Sequence, residues 1–173
     1  MLVHEGRGFT LIEALITVLI AAIFLGVAVP SYYSLIQNNK IVTTTNKLSA
    51  TFNMARMEAV KRGVKVTICS AANSGLSQCG NINQWNNGWI IFLDADNNDA
   101  IETNNDLTNV TEAVPSGIQI TANRNNVSYD SSGFLTSPSL TLTISASGCT
   151  GDNARQIIIS TSGRLTIAHA ACS

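Results

Sequence analysis

The chain has 173 residues, a formal net charge of −1 and only 12% charged residues. That length suits one domain of modest core beside an additional segment. The charge balance excludes a broad basic face for nucleic acid, and the low charged fraction argues against wholesale disorder.

Met1 to Gly8 form a short polar leader with Arg7 next to the glycine. From Phe9 to Val29, twenty-one residues, the only ionisable side chain is Glu13. A helix of that length rises roughly 32 Å, enough to cross a hydrocarbon core. The leader is too short and polar for an ordinary secretory signal. No small-residue cleavage site ends the apolar run, since Pro30-Ser31-Tyr32 leads into more helix-compatible sequence. A carboxylate in such a segment costs about 2.5–3.5 kcal/mol unless it finds a partner, which makes Glu13 a candidate functional residue.

Beyond Pro30, Ile41, Thr45, Leu48, Phe52, Ala55 and Ala59 recur at spacings of three and four, one face of an amphipathic helix. Asn46, Lys47, Asn53, Arg56 and Lys61 fall mostly on the other side. Lys61-Arg62 and Gly63 are a C-terminal helix signal, so one helix is expected from Phe9 to about Arg62. The period then becomes two: Val64, Val66 and Ile68 alternate with Lys65, Thr67 and Cys69, a strand with one buried face. Residues 71–87 read as a loop, Trp89–Leu93 as a buried strand and 94–109 as an acidic, turn-rich stretch. Further strands are expected at 118–122, 127–129, 139–144, 155–160 and 164–168, the last two forming a hairpin with Ile157 and Ile159 opposite Leu165 and Ile167. Helix first and antiparallel strands after is an α+β pattern, a long N-terminal α-helix packed on antiparallel β-sheet.

All four cysteines, Cys69, Cys79, Cys149 and Cys172, follow the apolar segment. In an exported domain they read as disulfides, with three possible pairings. Cys69–Cys79 and Cys149–Cys172 are favoured because each closes a local loop, contributing about 3 kcal/mol in the chain-entropy model. The spacing does not suit zinc: there is no CxxC pair, and the histidines are His4 and His169.

Gly8-Phe9-Thr10-Leu11-Ile12-Glu13 followed by an apolar helix resembles the N-terminus of a type IV prepilin or pseudopilin. The resemblance implies cleavage by a prepilin peptidase between Gly8 and Phe9, N-methylation of Phe9, an assembly role for Glu13 and a helix-kinking Pro30. In a bundle of subunits Glu13 is expected to face the amine of a neighbour's Phe9 and set axial register. Residues 55–69 and 87–94, with Ser162-Gly163-Arg164-Leu165, resemble the GspH/FimT/FimU-type minor pilins and minor pseudopilins. The expected division is a leader, 1–8, a transmembrane and assembly half of the helix, 9–30, and an exported α+β pilin domain, 31–173. The implied function is a structural minor type IV pilin that primes assembly near the filament tip. Its partners would be other minor pilins and the major pilin, with residence in the inner membrane before assembly. The alternatives are a minor pseudopilin of a type II secretion system and a FimT-type DNA-uptake receptor.

No catalytic constellation is evident and no cofactor is expected. Asp94, Asp96 and Asn98 resemble the first half of a calcium loop, but Asp99 stands where that loop needs glycine and Asn105 where it needs glutamate. The stretch therefore reads as a solvated acidic turn. Arg164 matches the first arginine of the Gly-Arg-x-Arg motif of DNA-binding relatives, whereas the second position is Thr166. With one arginine lost, phosphate neutralisation would be weak, and DNA is not expected as a partner.

Overall fold

The computed structural model describes residues 9–103 and 106–172, except for the side chains at 27, 30 and 31. Two compact units are distinguished, Met1–Ile36 and Gln37–Ser173. Helix α1 spans Leu11–Arg62. Thr10 caps its start by accepting a hydrogen bond from the Glu13 amide at 3.3 Å. Gly63 ends it at φ +70°, donating its N–H to the Ala59 carbonyl at 2.9 Å, because a left-handed cap suits glycine.

Among the described residues of the second unit, eight strands form two antiparallel four-stranded sheets. β1 (Val66–Ser70), β2 (Trp89–Leu93), β3 (Leu107–Thr111) and β5 (Asn126–Tyr129) make one, in the order β3-β2-β1-β5. β4 (Ile118–Ala122), β6 (Leu140–Ala146), β7 (Ala154–Ile159) and β8 (Leu165–Ala170) make the other, in the order β4-β6-β7-β8. The C-terminal hairpin pairs Ile159 with Leu165 and Ile157 with Ile167. The periodic residues of α1, from Ile41 to Ala59, are buried and share one core with Val66, Ile68, Ile91 and Val127 of the first sheet and Ile120, Leu142, Ile144 and Ile157 of the second. The helix thus closes both sheets at once.

Three expectations are corrected. β1 is buried at all five positions rather than on one face. The second face of β1 and β2 carries a small separate cluster, Cys69, Ala71, Ile90 and Phe92, roofed by Leu76, Cys79 and Ile101 from the flanking loops and by Leu107 at the start of β3. The acidic stretch after Asp94 contains the start of a strand: β3 pairs with β2 across a register shift at Ile91/Phe92, a pairing that no local alternation announces. The 71–87 loop holds a short 3-10 turn, Trp85–Asn87, that sinks Trp85 into the core beside Phe52, ring centroids 6.4 Å apart. Both tryptophans satisfy their indole N–H groups, Trp85 on the Arg124 carbonyl at 2.8 Å and Trp89 on the Thr51 hydroxyl at 3.0 Å.

Disulfides join Cys69 to Cys79 and Cys149 to Cys172, with Cα separations of 5.5 and 5.7 Å. Among the described residues no helix is long and apolar enough to cross a membrane. The expected span at 9–30 therefore rests on the sequence run alone.

Phe52 is fully buried, whereas Met57, five residues on, is 64% exposed. Phe52→Ala should destabilise the second unit by about 3–5 kcal/mol through the cavity left in the shared core. Met57→Ala should stay within about 0.5 kcal/mol. Urea unfolding of the detergent-solubilised chain followed by tryptophan fluorescence measures both.

Candidate functional site

Gly8 lies outside the described residues. Phe9 is 80% exposed at the head of α1, and Glu13 is exposed in the first helical turn. Thr10 and Glu13 stand at the N-cap and third helical positions, the spacing of a capping box. A carboxylate there also complements the positive end of the helix dipole. The Thr-x-x-Glu spacing is visible in the sequence, so a local role for Glu13 could have been read from it alongside the assembly role. α1 continues through position 30.

The candidate calcium oxygens are dispersed by the fold. Asp94 is buried beneath the loop and its carboxylate is fully engaged. It pairs with Lys65 Nζ at 2.9 Å and accepts hydrogen bonds from the Thr67 hydroxyl at 3.1 Å and the Asn98 and Asp99 amides at 3.0 and 3.2 Å. Asn98 turns its amide nitrogen, a donor, toward Asp96 at 2.6 Å and Glu102 at 3.0 Å, while its oxygen accepts the Ala100 N–H. Asp94, Asp96 and Asn98 therefore do not converge on one point. Among the described residues no group of three acidic, histidine or cysteine side chains is arranged to hold a metal ion.

What the loop does instead is fasten itself. Lys65, expected on an exposed face, is only 11% exposed at its side chain and bridges Asp94 and Asp99, the latter at 2.7 Å. Asp99 also accepts the Ser128 hydroxyl, and Ser128 accepts that of Thr67. Burial pushes the Asp94 carboxyl up, but the Lys65 ammonium and the hydrogen bonds from Thr67 and Asp99 outweigh it and hold the group below the usual carboxylate range. For Lys65, burial acts downward and the two carboxylates prevail, raising it.

Arg164 is exposed at the turn before β8. Arg155 lies on β7 opposite His169, its Nη1 2.8 Å from the imidazole Nδ1. Arg164 and His169 are five strand positions apart, about 17 Å, so the two arginines do not form a cluster. Gly163 has a packing explanation: at φ +73°, a Cβ would fall 2.1 Å from the Gly133 carbonyl oxygen. The residue missed by the sequence reading is Arg56. It donates through Nε to the Gly133 carbonyl at 2.9 Å and through Nη2 to the Ser162 carbonyl at 3.4 Å, tying two β-turns to α1. Helical periodicity puts it on the side away from the apolar stripe, and its partners lie far along the chain.

The ion pair sets a pH dependence. Asp94 has a depressed folded pKa, so its contribution is present above its unfolded value and lost as pH falls through the folded one. Lys65 has a raised folded pKa, so its contribution is lost only at strongly alkaline pH. Stability should thus decline below about pH 4. Asp94→Asn should leave Lys65 partly unpaired and cost about 3 kcal/mol at pH 7, lowering Tm by roughly 10 °C. Calorimetric scans of parent and variant from pH 3 to 8 should show the gap closing at the acid end.

A family model described as prokaryotic N-terminal methylation motif matches residues 6–29, and one described as type II transport protein GspH matches residues 44–163. No curated protein sequence matched the chain. Among solved structures, the type IV minor pilin FimU of Pseudomonas aeruginosa is similar at a TM-score of 0.61 and 19% identity, over 78% of this chain and 96% of that one. The minor pseudopilin EpsH of Vibrio cholerae is similar at a TM-score of 0.52 and 15% identity, over 75% of this chain and 97% of that one. At these identities the structural likeness speaks to the fold, while the match across 44–163 carries the family. The chain belongs to the GspH family of type II transport proteins and bears a prokaryotic N-terminal methylation motif at the head of its helix.

Proposed function

We propose that the protein is a minor type IV pilin, a structural subunit that helps prime pilus assembly and sits at or near the filament tip. One observation carries this reading. Between Phe9 and Leu35, α1 leaves large apolar side chains uncovered, including Leu11, Ile12, Leu15, Leu19, Ile23, Phe24 and Leu25, each more than half exposed. Apolar surface is stabilised by about 25 cal/mol per Å² on removal from water, so such a surface requires a cover. In this reading the cover is first the inner-membrane bilayer and then the helices of neighbouring pilins. The membrane span is inferred from the single-carboxylate run of 9–29. The second unit would be exported, consistent with its two disulfides.

Under this proposal a prepilin peptidase cuts between Gly8 and Phe9, and Phe9 becomes the methylated terminus. Glu13, one turn inside, is close enough along the helix to meet a neighbouring subunit's terminal amine. That pairing would offset the cost of carrying a carboxylate into an apolar bundle. Pro30 belongs to the same assembly half. The second reading, a minor pseudopilin of a type II secretion system, draws on the family description and on the likeness to EpsH. The identity of the pilins that co-purify with the native protein decides between the two. The DNA-receptor alternative is not favoured, because Arg155 and Arg164 sit at opposite ends of their hairpin. The proposed role is structural rather than enzymatic.

Intact-mass measurement of the protein from its native membrane should show loss of residues 1–8 and one added methyl group; a chain retaining Met1 would contradict the processing claim. Glu13→Val should leave folding and insertion intact, since losing the charge favours the bilayer, yet should reduce incorporation into pili. Thr10→Ala, which removes only the cap at a cost of about 1 kcal/mol, separates the two roles of Glu13. If both variants lose incorporation equally, the defect lies in the helix start rather than in subunit register.

A further inference from the structure

The two sheets present four edges, and three are guarded. Beside β5, the chain at 134–136 lies along the edge: Tyr129 bridges Leu135, and the Thr136 amide donates to the Ser128 carbonyl at 3.0 Å. Asn86 covers β4 by accepting the Ile120 N–H on its side-chain oxygen at 2.7 Å. β3 is interrupted by its register shift and flanked by Asp106 and Glu112, two devices that discourage strand addition.

β8 has no covering segment, no accepting side chain and no register shift, and the charge beside it, the exposed Arg164, stands before the strand rather than in it. It pairs with β7 over six residues, Leu165 to Ala170, with no register shift. Its sequence, Leu-Thr-Ile-Ala-His-Ala, has no proline and no Lys, Arg, Asp or Glu. The Ser160 amide donates to the Arg164 carbonyl at 3.0 Å, which makes that pair a hydrogen-bonded one. By alternation Thr166, Ala168 and Ala170 bond inward to β7, and Leu165, Ile167 and His169 direct their N–H and C=O groups outward. The same alternation, carried across the sheet, sends the Ile120 amide outward from β4, where Asn86 accepts it. Among the described residues no hydrogen bond reaches the outward groups of β8. Ile167 stands opposite the fully buried Ile157 and so shares its core-facing side, yet it is 45% exposed because the sheet ends there.

We propose that β8 is a docking edge, and that it takes an extended, uncharged strand of a partner pilin subunit into the β4-β6-β7-β8 sheet. Three outward donors and three outward acceptors at strand spacing are matched by another strand. The absence of Lys, Arg, Asp and Glu from Leu165 to Ala170 selects an uncharged strand lying between Arg164 and the Arg155 guanidinium at His169, and an apolar residue beside Ile167 would complete the core face. A second copy of this chain is the other way to pair β8, by a twofold axis normal to the sheet. That axis would reverse the 37–62 part of α1, which packs along the sheets. Subunits of a filament run in one direction, so the occupant is a different chain. This choice of partner rests on the function proposed above.

Amide hydrogen exchange reads the edge directly. In the detergent-solubilised full chain, Leu165, Ile167 and His169 should exchange at least about tenfold faster than Thr166, Ala168 and Ala170, since one backbone hydrogen bond is worth about 1 kcal/mol or more. In assemblies purified from cells, all six should be protected. Assemblies in which the three remain fast overturn the proposal. Protection that arises by self-association of the purified chain overturns the choice of partner. Ile167→Lys places a charge on the edge strand and should lower Tm only slightly, through the partial loss of its contact on the core side, while cutting incorporation about tenfold. Ile167→Pro, which removes one outward donor and no inward bond, should act in the same direction, and undiminished incorporation of both variants overturns the docking role. A chain absent from every pilin assembly overturns the parent reading, and the partner with it.

Discussion

Burial of the α1 stripe from Ile41 to Ala59 is the interaction on which the domain depends. Neither sheet can close a core alone, since each has only four strands and each contributes one apolar face to the same cluster. The helix serves both. Its buried residues are small at Ala55 and Ala59 and large at Leu48 and Phe52, so it can approach closely toward its C-terminal end while filling the space beneath Trp85 and Trp89. A helix already committed on one face to two sheets leaves its other face for solvent or subunits. Met57 and Val60 are there, more than half exposed.

Polar groups then lock what the core brings together. Arg56 reaches the two turns at Gly133 and Ser162, and Lys65 reaches Asp94 and Asp99. Each joins segments tens of residues apart, and each holds an irregular connection against a regular element. The outer face of the first sheet is roofed in the same way, by the Cys69–Cys79 loop and the Asp94 loop. Buried polar groups inside such roofs carry a desolvation cost that only a complete set of partners offsets. Asp94 has such a set, so the acidic stretch is fastened to the sheet through it.

The guarded edges and the bare one are related to the proposed role. Antiparallel sheets in a small domain always leave edges, and proteins that work alone cover them. Here the covers on β4 and β5 come from the chain's own loops, while β8 lies just before the chain's second disulfide and nothing described crosses it. The uncovered edge and the exposed apolar side chains of the helix are two separate surfaces that the proposed assembly would bury.

Much of this was legible in the sequence wherever the deciding interaction is local. The leader, glycine, phenylalanine and Glu13 are read at fixed offsets. The helix end at Gly63 follows from backbone sterics within one turn, and the buried face of α1 follows from its period. The hairpin register of β7 and β8 follows from a short turn and alternation. The tertiary structure decided what depends on partners distant in the chain. β3 has no strand pattern of its own and exists because β2 offers it hydrogen bonds. β1 lost its exposed face because two loops fold over it. Lys65 is nearly buried and Arg56 is tied down because their acceptors arrive from residues 94–99 and 133–162. Periodicity records which side of an element is apolar, but it does not record what the rest of the chain brings to the other side. That required the fold.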